Sequence, residues 1–199
     1  MRQIYEIRGE IKPYMKNRKV QVTYCQMNLE GLLFTLSHIF GLQYILFAHK
    51  DDLKFEFENF ELVNEDLEVA LRKITQKLPH LHWDILESMV VVYDPREIDG
   101  SHFKVPFALQ IAYQEVSMDG TAPVSLIRAI CYMAEKYGRS VSCNLDYLDT
   151  SRPVNIPLRG HKKLGQVTAS ILRDAPNMKV DCFENVIYLE NEHPSFWKN

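Results

Sequence analysis

Apolar residues recur along this chain with two periods, and the switches between them mark out its elements. Residues 20–24 (VQVTY) alternate apolar with polar, which predicts a strand. Asn28 is placed to cap a helix whose apolar positions, Leu29, Leu32, Leu33, Leu36 and Phe40, fall three and four apart. Gly41 can close that helix in the left-handed conformation. A short apolar run over 42–47 predicts a strand. Residues 53–62 (LKFEFENFEL) alternate again, but the apolar parity slips between Phe57 and Phe60, which predicts a bulge or bend near Asn59. Asn64 is the expected cap of a second helix, with Glu65 and Asp66 in its first turn, where the helix dipole favours acids. The stripe there is Leu67, Ala70, Leu71, Ile74 and Leu78, and Pro79 forbids continuation. Runs at 81–86 and 89–93 close as a hairpin around Glu87 and Ser88.

The same order returns 97 residues later. At that shift Gly41 falls on Gly138, Leu29 on Leu126, Leu33 on Ile130 and Leu36 on Met133. Leu67 falls on Leu164, Ile74 on Ile171, Pro79 on Pro176 and Trp83 on Val180. One ungapped register that preserves helix punctuation as well as apolar character points to duplication. The second copy is expected to hold a strand within 107–118 and a helix after Thr121 with Pro123 in its first turn. Strands follow at 140–145 and 152–158, then a helix at 162–174 and a hairpin of 178–184 with 185–190. The fold class is therefore α/β, of the α+β kind, as two tandem β-α-β-β-α-β-β modules. The modules occupy 20–94 and 105–191. Residues 1–19 form a basic leader, 95–104 a linker with Pro95 and Gly100, and 192–199 a tail.

The stretches VQVTY, NLEGLLFTLSHIFGLQYILF, LKFEFENFELVNEDLEVALRKI and MVVVYD make residues 20–94 resemble the secretin and TonB short N-terminal (STN) domain. The second copy is similar through LIRAICYMAEKYGRSVSC, RPVNIPLRGHKKLGQVTASIL and NVIYLEN, more divergently. The resemblance implies a small binding module with no catalytic residues and no cofactor. It also implies a place in the bacterial periplasm and partners among secretin-type or TonB-linked envelope proteins. No secretin pore domain and no receptor plug or barrel accompanies it in this sequence.

Composition narrows the picture. The chain of 199 residues is 46% hydrophobic and 25% charged, which suits a globular protein and not a disordered one. No run approaches the roughly 18 apolar residues of a membrane span. The first twenty residues lack the apolar core of an export signal, which keeps a cytoplasmic location as the alternative. The net charge of −3 gives no general reason to expect nucleic acid. Its distribution is uneven: residues 1–19 carry net +4 and residues 20–94 net −7, while 105–191 balance. An acidic first module favours a basic partner.

Candidate chemistry is sparse. No GxSxG, HExxH, P-loop or Rossmann fingerprint occurs. His80, His82 and Asp84 alternate with apolar residues and can share one face of a strand, where they are weak candidates for a divalent metal; an exposed polar face is the plainer reading. Lys162 and Lys163 are expected at a helix start, where the dipole disfavours cations, so an acidic group helped by Arg159 would relieve them. The alternative is a pair of solvated lysines. Cys143 and Cys182 stand where the first copy has Leu46 and Ile85, inward strand positions; they read as buried free thiols or as a disulfide if their strands adjoin. Cys25 lacks the His or Asp pattern of a nucleophile.

Partner-binding candidates come from exposure. Phe34 and Val69 lie off their helices' main stripes, as a helix covered on both sides or a contact for a partner would require. Lys54, Glu56, Glu58 and Glu61 lie on an alternating segment that reads as a charged edge strand, open to strand addition. The tail HPSFW (193–197) is either packed back or a docking peptide. The expectation is a noncatalytic protein-interaction chain of the envelope, with oligomerisation open. A KH-like nucleic-acid binder and a metal enzyme using the HxHxD strand are the rivals; the acidic first module and the absence of a GXXG loop weigh against the former.

Overall fold

The computed structural model describes residues 18–86, 89–103, 118, 120–158 and 162–191. Outside them lie most of the basic leader, Glu87 and Ser88 of the expected hairpin turn, Arg159, the tail, and the strand expected within 107–118 apart from exposed Met118. The described residues form five helices and ten strands in mixed sheets, an α+β fold. No described helix is long and apolar enough to cross a membrane. The chain divides into two units, Met1–Pro95 and Arg96–Asn199.

In the first unit β1 (Val20–Asn28) pairs antiparallel with β3 (Glu56–Glu65) as a long ribbon. The strands β4 (His82–Ile85), β5 (Met89–Tyr93) and β2 (Gln43–Ala48) hydrogen-bond in that order, β5 parallel to β2 and antiparallel to β4. Helix α1 (Leu29–Phe40) packs against both β1 and β2, and α3 (Leu67–Lys77) against β3. One short helix, α2 (Lys50–Leu53), was not foreseen, because four residues are too few for a periodic stripe. The core is formed by Leu29, Leu32, Leu33, Leu36 and Phe40 of α1, Leu67, Ala70, Leu71 and Ile74 of α3, and the whole of β5. At about 1.5–3 kcal/mol per large side chain, this burial outweighs any single polar contact in the unit.

The second unit has the same connectivity. Here β6 (Thr121–Ser125) pairs antiparallel with β8 (Pro153–Pro157), while β7 (Ser140–Asn144), β10 (Val186–Asn191) and β9 (Met178–Phe183) hydrogen-bond in that order. Again the first two run parallel and the last pair antiparallel. Helices α4 (Leu126–Tyr137) and α5 (Leu164–Asp174) begin and end 97 residues after α1 and α3. Their ends match in conformation too. Gly41 and Gly138 are both left-handed, with φ of 67° and 58°. Leu78 and Ala175 close α3 and α5 with φ of −123° and −128°.

Several expectations need correction. Thr121–Ser125 is a strand, not a helix start: Pro123 faces Asn155 in a two-stranded ladder, where a missing N–H is tolerated, and the helix begins at Leu126. The cap of α3 is Asp66, whose carboxylate accepts from Val69 N–H at 3.1 Å, while Asn64 holds φ 56° at the end of β3. Of the bulge or bend expected near Asn59, the structure has the bend and not the bulge. The ladder keeps one register on either side of it (Gln26 opposite Glu58, Tyr24 opposite Phe60), and Asn59 at φ 51° turns the strand so that Phe57 and Phe60 are both buried. The register shift lies instead at Val20/Gln21. The expected linker is not a bare tether, since Ile98 and Phe103 are buried and Gly100–Phe103 forms a 3₁₀ turn.

Candidate partner-binding face

The β1–β3 ribbon carries the one-sided chemistry of the first unit. Residues directly opposite in an antiparallel ladder share a face. The outer face therefore sets Glu56 beside Asn28, Glu58 beside Gln26, Glu61 beside Thr23 and Val63 beside Gln21, all eight exposed. β3 supplies three carboxylates and β1 only uncharged polar groups. Gln26 donates to the Glu56 carboxylate. Two cations lie near the end of the ribbon. Lys73 Nζ donates to the Glu65 carboxylate at 2.7 Å and to the Glu61 main-chain oxygen at 2.8 Å, and Lys19 pairs with Asp66 at 3.1 Å. Alternate residues of a strand lie about 7 Å apart, within a Debye length of about 8 Å at physiological salt, so the row repels itself. A cationic partner would relieve that repulsion. Val63, 52% exposed, adds an apolar contact at the end of the row.

Of the residues expected on this face, Glu56, Glu58 and Glu61 are present, but Lys54 is not. It ends α2 before β3 begins, its N–H donating to Lys50 O at 3.2 Å. Phe34 is half-buried and stacks on His38, ring centroids 4.3 Å apart, so it offers little apolar surface. Val63 was missed because alternation counted from Phe57 places it inward; only the turn at Asn59 shows it outward.

The HxHxD residues do not converge. His80 sits in the turn before β4, its Nε2 3.0 Å from Asp52 Oδ1. His82 is exposed on β4, its ring 6.4 Å from that of Tyr93. Asp84 accepts from the Tyr93 hydroxyl at 3.0 Å. Each is thus engaged by a different group, and among the described residues no three His, Cys, Asp or Glu side chains gather as a metal site would need.

In the second unit α5 begins at Leu164, with Lys163 at the cap and Lys162 before it, so neither lysine lies within the first turn as expected. Lysine has no acceptor for a capping bond; the reciprocal half is present, Gln166 Oε1 accepting from Lys163 N–H at 3.0 Å. The Lys162 carbonyl accepts from the Tyr137 hydroxyl at 2.8 Å. Lys162 and Arg173 border a shallow open depression with Pro157, Gln166, Ala169 and Ser170. Arg159 lies outside the described residues.

All four cysteines are free. Cys143 is buried as expected, and its thiol is pushed up to about 12 by that burial. Cys182, the next-to-last residue of β9, is exposed, contrary to expectation. β10 separates their strands. Two strand spacings of about 4.8 Å exceed the reach of a disulfide, so the alternative of a Cys143–Cys182 bridge fails on geometry. Burial also raises Cys131 well above its ordinary value, with Cys143 the next contributor.

No family model matches the chain, and no curated protein is similar to it at a significant level. The resemblance to the STN domain therefore rests on the residues quoted above.

Proposed function

We propose that this chain is a noncatalytic protein-interaction protein of the bacterial envelope, built from two STN-like modules that arose by duplication. It serves a secretin-type or TonB-linked system on the periplasmic side, and its partners are other envelope proteins. The observation that carries the reading is the outer face of the β1–β3 ribbon, where Glu56, Glu58 and Glu61 stand exposed opposite uncharged residues of β1. An exposed carboxylate row of this kind takes a basic protein surface, speeds its encounter, and does so less at high salt. The shared connectivity of the two units supports the module reading, since the element order of the family pattern recurs in each.

The test is cross-linking of the full chain in an envelope fraction, with the captured proteins identified and E56Q/E58Q/E61Q run alongside. The reading expects secretin- or TonB-linked components with basic surfaces, captured less by the triple variant and less at high ionic strength. Equal capture by both proteins at all salt concentrations would remove the acidic face from the account.

A further inference from the structure

Each unit contains a two-stranded ribbon. The first strand of each, β1 and β6, hydrogen-bonds to one neighbour and, among the described residues, to no strand on its other side. The two free edges differ. In the second unit Gly120 O takes Leu158 N–H at 2.9 Å and Arg152 O takes Leu126 N–H at 2.8 Å. Hydrogen-bonded pairs alternate along an antiparallel ladder, so in β6 they fall at 122 and 124, and Pro123 opposite Asn155 belongs to a pair whose main-chain groups turn away from each other. Asn155 bears this out: its N–H donates to Asp174 at 2.7 Å and its carbonyl accepts from Ser170 at 2.6 Å, both on α5. Pro123 therefore stands on the free edge of β6, where it denies an incoming strand a donor.

The first unit keeps the ladder and lacks this guard. Gln26 facing Glu58 is the counterpart, 97 residues earlier, of Pro123 facing Asn155, so the Gln26 N–H turns to the free edge of β1. The nine residues of β1 (VQVTYCQMN) include no charge and no proline, the usual means of refusing a further strand, and its register shift lies at its first residue. The far side of β3 is taken in part by α3, from which Lys73 donates to Glu61 O at 2.8 Å. The open side of the ribbon is thus β1.

Charge states what fits there. A strand added to β1 lies about 4.8 Å from it and about 10 Å from β3. Its outward side chains stand beside exposed Thr23, Gln26 and Asn28 and look across them to Glu61, Glu58 and Glu56. Lysine and arginine span that gap when the glutamates reach toward them, whereas acids meet like charge.

We propose that the free edge of β1 takes an extended segment of a partner protein as an added strand, with lysine or arginine on the face shared with Glu56, Glu58 and Glu61. This rests on the acidic-face reading above and supplies its mode of docking: main-chain bonds hold the segment and charge selects it.

The test is titration of the full chain with two end-blocked octapeptides, one alternating lysine with valine and the other glutamate with valine. Residue-resolved amide exchange and peptide fluorescence anisotropy are the readouts. In the free chain the Gln26 amide is expected to exchange rapidly, and to slow when the lysine peptide is added but not the glutamate peptide. Gln26→Pro copies the guard of β6 into β1 and should weaken lysine-peptide binding about tenfold. Gln26→Ala loses the same side chain but keeps the N–H, and should bind like the wild type. E56Q/E58Q/E61Q should weaken binding, most of all at low salt. Circular dichroism checks each fold, and the wild-type exchange readout stands without any variant. Lysine peptide bound without slowing of Gln26, or bound equally by Gln26→Pro, would overturn strand addition and leave the acidic-face reading standing. No binding, or equal binding by the triple variant, would overturn both. Slow exchange of Gln26 before any peptide is added would place this chain's own leader or a second copy on the edge, and would overturn the proposal as well.

Discussion

Two helices show how much depends on one capping side chain. The Asn28 side chain accepts from Gly31 N–H at 2.9 Å and satisfies a donor that the helix cannot. Ser125, its counterpart on α4, makes no such bond, because the loop supplies the acceptors: Arg152 O takes Leu126 N–H at 2.8 Å and Thr150 O takes Ile127 N–H at 3.1 Å. The Ser125 hydroxyl is left buried without a partner among the described residues. Asn28→Ala is therefore expected to cost about 1 kcal/mol in denaturant unfolding, and Ser125→Ala to be neutral or slightly stabilising. Asn28 was legible because a cap residue stood directly before an apolar stripe. Asp66 was not, since Asn64 and Asp66 are both good caps two residues apart, and only backbone angles separate them. The Val69 N–H, and then Lys19, hold Asp66 below its ordinary 3.8; the Asn155 N–H does the same for Asp174. A depressed carboxylate stabilises the fold above its unfolded value and ceases to as pH falls through its folded value. Acid unfolding should thus begin below about pH 4, and Asp66→Asn, which keeps a capping oxygen but no charge, should flatten that limb. The thiols give a further check: a disulfide-exchange reagent should titrate Cys25 and Cys182 quickly in the folded protein, and Cys131 and Cys143 only on unfolding.

Among the elements, both long first helices end on a glycine that backbone geometry requires. A Cβ at Gly138 would meet nothing within 4 Å, so the cost of Gly138→Ala is conformational alone. It is expected at about 1 kcal/mol in denaturant melts, with a similar value for Gly41→Ala. Helices were the most legible elements because their stripes, caps and stops agree. The ribbon was less so. The apolar slip in β3 was visible, but its effect depends on β1, where Cys25 and Gln26 are both exposed and the parity slips as well. When both strands slip together the register survives, which one strand read alone cannot reveal. Pro123 misled for a related reason: proline suits a first helical turn and an edge strand equally, and only the ladder with Asn155 distinguishes them.

For the whole chain, the repeat was legible because helix punctuation kept its spacing while side chains diverged. The candidate site was legible only in part. The acids of β3 stand in the sequence, but the uncharged residues opposite them belong to a strand some thirty residues earlier, a separation that pairing closes and sequence does not. The two units share one connectivity. Residue-resolved amide hydrogen exchange of the full chain tests that connectivity most directly. Protected blocks are expected over Leu29–Phe40 and Leu126–Tyr137, and over Leu67–Lys77 and Leu164–Asp174, with boundaries 97 residues apart and matching protection in β5 and β10. Rapid exchange through Leu126–Tyr137 or Leu164–Asp174, or block boundaries that fail to correspond, would contradict it.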